Sequence, residues 1–223
     1  LVAGNYGTNG YFNGNRKEPV TAYYADFDGN NRFEFLLSTW RQGLLHSERK
    51  EYPVASRDQV AEEIPSVKKQ FASHAPYAKT DMPSLLKTFP NKPQFEKKAV
   101  NFHSIWIENL GKSGFKVHEL PAAVQWSPVY GIAAGDYNGD GSIDLLLAGN
   151  EYGMQPMLGR YDASICVLLQ GDGKGNFSPL SILQSGIFIP GNAKSVASFP
   201  MGNRTAIAVA QNRGNLLLFQ QKK

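Results

Sequence analysis

One cysteine, Cys166, in 223 residues leaves no partner for an internal disulfide and no thiolate set for a zinc cluster. Its place in the apolar run Ile165 to Leu169 marks it as a buried strand residue, where a thiolate is disfavoured. Long hydrophobic runs are missing as well. Stretches such as Leu145 to Ala148 end after a few residues, whereas a membrane-spanning helix needs about 20, so no membrane-spanning segment is expected. No block of one charge sign occurs either: 23 Lys and Arg are mixed among 19 Asp and Glu, and a net charge of +4 spread in this way offers nucleic acid no basic surface. The sequence has no Gly-x-Ser-x-Gly and no His-x-His or His-Glu-x-x-His spacing. His46, His74, His103 and His118 therefore read as surface or strand-facing residues, no nucleophile is proposed, and the chain is expected not to be an enzyme. It opens with Leu1-Val-Ala-Gly-Asn and has neither an initiator Met nor a signal peptide, so it reads as a fragment of a longer chain.

What is present points to a β protein. A hydrophobic content of 42% suffices for a real core, and 22 Gly, 13 Pro and 12% aromatics predict many turns between short strands. Self-similarity then sets the architecture. Gly131 to Asn150 overlays Val20 to Thr39, each reading strand, polar turn, strand, and Ser195 to Asn212 is a third copy with a shortened turn. Leu1 to Asn5 matches the tail of the same unit. A second element, a hairpin with a Gly-rich turn, recurs at Ile105–Leu120 and Val167–Ile182. The hairpin copies are offset by 62 residues (Phe115 to Phe177) and the turn copies by 63 (Asp136 to Phe199), so two landmarks give nearly one period. Four strands in about 60 residues is the content of a β-propeller blade. The predicted fold is therefore mainly β: a partial propeller of about three four-stranded antiparallel blades, spanning residues 1–223 as a single segment.

The interval from Asp26 to Asp136 is 110 residues, too long by about 48, and the strand pattern stops between Ser56 and Ala99. There Val60, Ile64, Val67 and Phe71 make a helical face, Ser56 and Gln59 stand at capping-box spacing, and Pro65 divides the segment. A second helix is predicted over Met82–Phe89. Residues 56–99 are expected to be a helical insertion, an accessory carried on the outside of one blade.

The turns carry the chemistry. Asp136, Asn138, Asp140 and Asp144 occupy positions 1, 3, 5 and 9 of one loop, and Asp26, Asp28, Asn30 and Glu34 repeat the spacing. Ca²⁺ takes six to eight oxygens at about 2.3–2.6 Å, which alternate carboxylates and amides supply together with a backbone carbonyl at position 7, here Ser142 and Arg32. With no His or Cys in either loop, a transition metal fits poorly, and Mg²⁺ prefers more water. Helices do not flank the loops and position 12 is not Glu, which excludes an EF-hand. The third turn, Phe199 to Arg204, has no carboxylate and is expected to be metal-free. Set against this, Asp, Asn and Gly also populate turns for steric reasons alone.

Asp136-Tyr-Asn-Gly-Asp-Gly-Ser-Ile-Asp-Leu145 between two strands, followed by Gly171-Asp-Gly-Lys-Gly-Asn-Phe177, resembles the FG-GAP/VCBS repeat, the blade motif of calcium-binding propellers. Glu18 to Asn30, Tyr52 to Val60, Gln125 to Gly131 and the final Ala-Val-Ala-Gln-Asn-Arg resemble the C-terminal part of bacterial VCBS-repeat proteins of the ASPIC and UnbV type. The resemblance covers essentially the whole chain, departing at Glu34, where Asp is usual, and in the last unit. It implies calcium in the loops, an extracellular, periplasmic or outer-surface location, and recognition, adhesion or a scaffold role toward a protein or glycan ligand. The alternative is a carbohydrate-binding or carbohydrate-active propeller. Three blades are fewer than the four to eight that close a ring, so the remaining blades of the same chain or a second copy are the expected partners.

Other signals are weaker. Gly111-Lys112-Ser113 lacks the first Gly of a phosphate loop, since Trp106 stands there, and it precedes a strand. Glu62, Glu63 and Glu119 read as solvated carboxylates, and the sequons at Asn176 and Asn203 matter only in a secreted eukaryotic protein. Tyr152, Met154, Met157, Tyr161 and the earlier Tyr6, Tyr11 and Phe12 follow equivalent strands, where they form either a binding rim or packing between blades.

Overall fold

The computed structural model describes residues 1–43 and 48–220; His46 lies outside the described residues. The protein is mainly β, with four antiparallel sheets, and no closed barrel or propeller forms among the described residues. No helix among them is long and apolar enough to cross a membrane. The single segment expected from sequence divides into two compact units: Leu1–Tyr11 with Phe102 onward, and Phe12–Asn101.

The first unit is a stack of three sheets. β1 (Val2–Ala3), β6 (Ile105–Asn109) and β7 (Phe115–Glu119) form the first sheet, in the order β1-β6-β7. The middle sheet is a four-stranded meander of β8 (Val129–Gly135), β9 (Asp144–Gly149), β10 (Val167–Gly171) and β11 (Phe177–Pro179). The last sheet has three strands, β12 (Ala193–Met201), β13 (Arg204–Gln211) and β14 (Leu217–Gln220). Every residue of β9 is buried, because the middle sheet is covered on both sides. Leu145, Leu147 and Leu169 pack with Val2 and Trp106 of the first sheet. Leu146, Ala148 and Leu168 pack with Val196, Ile207 and Val209 of the last. The unbroken Leu145-Leu-Leu147 run is thus a strand buried on both faces, which cannot alternate polar and apolar residues. Gly131 is required where the middle and last sheets meet: a Cβ there would sit 2.7 Å from the Val196 nitrogen.

The second unit has a sheet of β2 (Val20–Ala25), β3 (Glu34–Gln42), β4 (Arg49–Pro53) and β5 (Phe95–Ala99), in the order β4-β3-β2-β5. Four short helices follow β4: α1 (Arg57–Glu63), α2 (Ser66–Gln70), α3 (His74–Ala78) and α4 (Met82–Leu86). α1 starts at the capping box of Ser56 and Gln59, and Pro65 separates it from α2. Val60, Ile64, Val67, Met82, Leu85 and Phe89 from this segment bury against Tyr23, Ala25, Phe27 and Leu36 of the sheet. Two expectations are corrected here. The helical segment is no outside accessory, since it supplies most of this core, and its last five residues, Phe95–Ala99, are a strand paired with β2.

The blade arithmetic is corrected too. β1 pairs directly with β6, so the interruption of the first sheet runs through the whole of residues 12–101 instead of about 48 residues. Two of the sheets have only three strands. The β2–β3 hairpin copies the repeat closely enough to be counted as one of the stacked units, although its sheet closes its own core with helices. In the last sheet the turn is tighter than expected: Met201 pairs with Arg204, and Phe199 lies inside β12.

Candidate metal centre

Both Asp-rich turns join two strands of one sheet, β2 to β3 and β8 to β9, and they share one hydrogen-bond pattern. At position 1, Asp26 accepts the N–H groups of Gly29, Asn30 and Asn31 at 2.8–2.9 Å. Asp136 accepts those of Gly139, Asp140 and Gly141 at 2.7–3.2 Å. At position 3, Asp28 and Asn138 accept from the N–H groups of Asn30 and Asp140. At position 5, Asn30 and Asp140 accept from those of Arg32 and Ser142. At position 9, Glu34 accepts the Phe27 N–H at 2.8 Å and Asp144 the Tyr137 N–H at 3.0 Å. Alternate side chains therefore turn inward over the loop backbone, and positive φ at Gly29, Gly139 and Gly141 makes the bends. The Arg32 and Ser142 positions, expected to offer carbonyls, are held by these same turns.

The loops differ in what the carboxylates do. Ligand oxygens of Asp26, Asp28 and Glu34 lie within 4.8 Å of one another, and among the described residues this is the one such acidic group. Oxygens sharing a Ca²⁺ ion at about 2.3–2.6 Å lie at most about 5 Å apart, so the group has the right size for one ion. Glu34 is only 4% exposed. Burial raises its pKa, as do the neighbouring charges of Asp28, Asp26 and Glu63, while the Phe27 N–H opposes them. Three other carboxylates thus act on one buried position. The Asp140 carboxyl is held below its usual range by the Ser142 N–H and the Asn138 amide, and it makes a 2.8 Å bond with that amide. Asp144 is committed to the backbone: besides Tyr137 it accepts the Gly171 N–H of β10 at 3.0 Å.

Two contributors to the first loop carried no sequence signal. Asn91 donates its side-chain amide to the Asp26 carbonyl at 2.8 Å, and Glu63 at the end of α1 adds charge near Glu34. Both come from the segment that the repeat comparison sets aside. Phe27 at position 2 is fully buried and packs against Phe89 at 5.3 Å, which anchors the loop in the helix-covered core.

Elsewhere among the described residues several titratable groups have local partners. Burial pushes the Cys166 thiol up to about 12. Gly111–Ser113 is a 3₁₀ turn between β6 and β7, and Asp172 caps the N–H groups of Lys174 and Asn176 in the β10–β11 turn. His74 meets Asp58 at 3.1 Å, His103 meets Glu119 at 3.5 Å, and His118 stacks on Trp106 and meets Glu108. Of the rim aromatics, Tyr6 packs edge-on against Tyr161, which is buried, and Tyr152 lies under Arg160, while Met157 is exposed.

Comparisons of the chain with models of known protein families, with curated proteins and with solved structures found no match.

Proposed function

We propose that the chain is a calcium-binding, non-catalytic recognition, adhesion or scaffold module of an exported protein, built from FG-GAP/VCBS-type blades of a partial propeller. The convergence of Asp26, Asp28 and Glu34 within 4.8 Å carries the reading. Turns need Asp and Asn for steric reasons, but they do not need three carboxylates facing one point, and a buried Glu34 among them calls for a counterion. The matching backbone hydrogen bonds within the second loop support a second, weaker site at Asp136, Asn138, Asp140, Ser142 and Asp144. Calcium bound there would tie the strands of each hairpin together.

Titration calorimetry tests this. Ca²⁺ binds with a Kd of about 10⁻⁴ to 10⁻³ M, the range of extracellular modules, and Asp28→Ala removes the tighter site. Unchanged Ca²⁺ binding in that variant would overturn the assignment.

One observation favours carbohydrate as the ligand. Tyr24, Phe33, Phe35 and Phe95 are each 42–61% exposed beside the first loop, and Tyr24 stacks on Phe33 at 5.0 Å. Tyr24 also sits opposite Phe35 and Phe95 across the sheet. Such a row of aromatics suits the apolar face of a sugar ring. A glycan array with wild-type and Phe35→Ala protein tests it: binding lost in the variant supports a sugar ligand, and no binding by either removes it.

A further inference from the structure

The three sheets of the first unit stack by one rule. Each has a back face, which meets the preceding sheet, and a front face, which meets the next. In the middle sheet the back face is Ile132, Leu145, Leu147 and Leu169, and the front face is Ala133, Leu146, Ala148 and Leu168. Strand register carries these faces to the other two sheets. Val196 pairs with Val209 as Ile132 pairs with Leu147, so the last sheet turns its back face to the middle one. Ala197, Ala208 and Leu218 pair across the last sheet as Ala133, Leu146 and Leu168 do across the middle one, and they form its front face. In the first sheet Ile107 and Phe115 stand in the places of Leu169 and Phe177, on the back face, with Val117 opposite Ile107.

Those two terminal faces carry exposed apolar residues. Phe115 and Val117 are 73% and 55% exposed, and Leu218, on the edge strand, is 65% exposed beside half-buried Ala208, with exposed Ala197 beyond it and Ala206 buried. The molecule therefore carries both halves of an interface that it already makes twice internally. The size pattern also matches: small Ala197 and Ala208 with one Leu face large Phe115, Ile107 and Val117, as Ala133 and Ala148 with Leu146 and Leu168 face Val196, Ile207 and Val209. Three sheets are too few to close on themselves, since closed rings of this kind have four to eight, whereas two copies supply six.

We propose that these faces bind a second copy of the chain: the last sheet of one protomer takes the first sheet of its partner at both ends, closing a six-sheet ring with twofold symmetry. This rests on the propeller reading of the stack.

Light scattering and sedimentation at tens of micromolar test it, with a dimer as the expected result. Phe115→Asp and Leu218→Asp, both at exposed positions, each weaken the dimer at least roughly tenfold, as expected of central interface residues; Val117→Asp is a second variant of the same face. Mixing the Phe115→Asp and Leu218→Asp proteins restores association, because that pair retains one fully intact interface. A strictly monomeric wild-type protein overturns the proposal, and if that monomer still binds Ca²⁺ the metal reading stands. A dimer broken by Phe115→Asp but indifferent to Leu218→Asp also overturns it, since the first sheets would then be pairing with each other.

Discussion

The β2–β3 and β8–β9 hairpins share one turn, with matching backbone N–H groups accepted within it at positions 1, 3, 5 and 9, yet they sit in different surroundings. On the β8–β9 hairpin, Leu145 and Leu146 face two neighbouring sheets, and Asp144 ties the hairpin to β10 through Gly171. On the β2–β3 hairpin, Leu36, in the place of Leu146, is covered by helices, while Phe35, in the place of Leu145, is 54% exposed. The position-9 carboxylate then differs in role. Asp144 has one backbone partner in its own turn and one on β10, whereas Glu34 keeps one backbone partner and faces three other carboxylates. One local code thus serves mainly as a structural tie in one hairpin and gathers carboxylates around a buried position in the other.

The largest expected effect tests whether the cores are separate. Ile64 is fully buried in the helix-covered core, and Ile64→Ala leaves a cavity costing about 2–5 kcal/mol. Hydrogen exchange in β2 and β3 should accelerate while exchange in β9 is unchanged. Equal acceleration in β9 would mean that the two units unfold as one.

Next comes the position-9 pair. Asp144→Ala strips one buried and one partly buried backbone N–H group of a charged acceptor, a loss of roughly 3 kcal/mol. Glu34→Gln keeps an oxygen for the Phe27 N–H and removes a like charge from a crowded site, so without calcium its cost is below about 1 kcal/mol. Thermal melts of both variants in EDTA check this. Equal losses would erase the distinction between tie and ligand set.

The sequence showed the repeat, the capped α1, the break at Pro65 and the spacing of both loops, because each depends on residues close together in the chain. It misjudged what covers each sheet. The helical face of Val60, Ile64 and Val67 was legible, but not that it faces Leu36, since a hydrophobic stripe does not name its partner. β5 was lost because Phe95-Glu-Lys-Lys-Ala99 is exposed at every position and shows no period-2 alternation. Asn91 and Glu63 reach the first loop only through tertiary folding.

Calcium sharpens the contrast between the loops. At a concentration a hundredfold above Kd, an ion that binds only the folded state stabilises by about 2.7 kcal/mol. The effect should be concentrated in exchange protection of β2 and β3 and be lost in Asp28→Ala, while Asp140→Ala removes only a smaller effect on β8 and β9. The reverse ranking would assign the ligand set to the wrong hairpin.

The smallest effect concerns the strand ends beyond the two hairpins. After β9, Glu151 Oε2 accepts from Lys194 Nζ at 2.7 Å and from the Tyr130 hydroxyl at 2.8 Å, and Oε1 accepts the Gly153 N–H at 2.6 Å. Lys194 Nζ also lies 3.7 Å from the centre of the Tyr130 ring and donates to the Asn150 carbonyl. The hydrogen bond from Lys194, followed by that from the Gly153 N–H, brings the Glu151 carboxyl down to about 2 from 4.5. A carboxyl depressed in the folded state contributes stability above its unfolded value, and that contribution is lost as pH falls from about 4.5 toward 2. The repeat places Arg41, inside β3, at the equivalent position, so the second unit has no such carboxylate there. Glu151→Gln should lower the stability of the first unit by about 1–2 kcal/mol at neutral pH and flatten its decline below pH 4.5, leaving β2 and β3 unaffected. Exchange-detected acid titrations of both proteins measure the difference. An unchanged acid limb in Glu151→Gln would show that the link from the end of β9 to Lys194 is geometric only and adds nothing to what β9 already gains from its buried leucines.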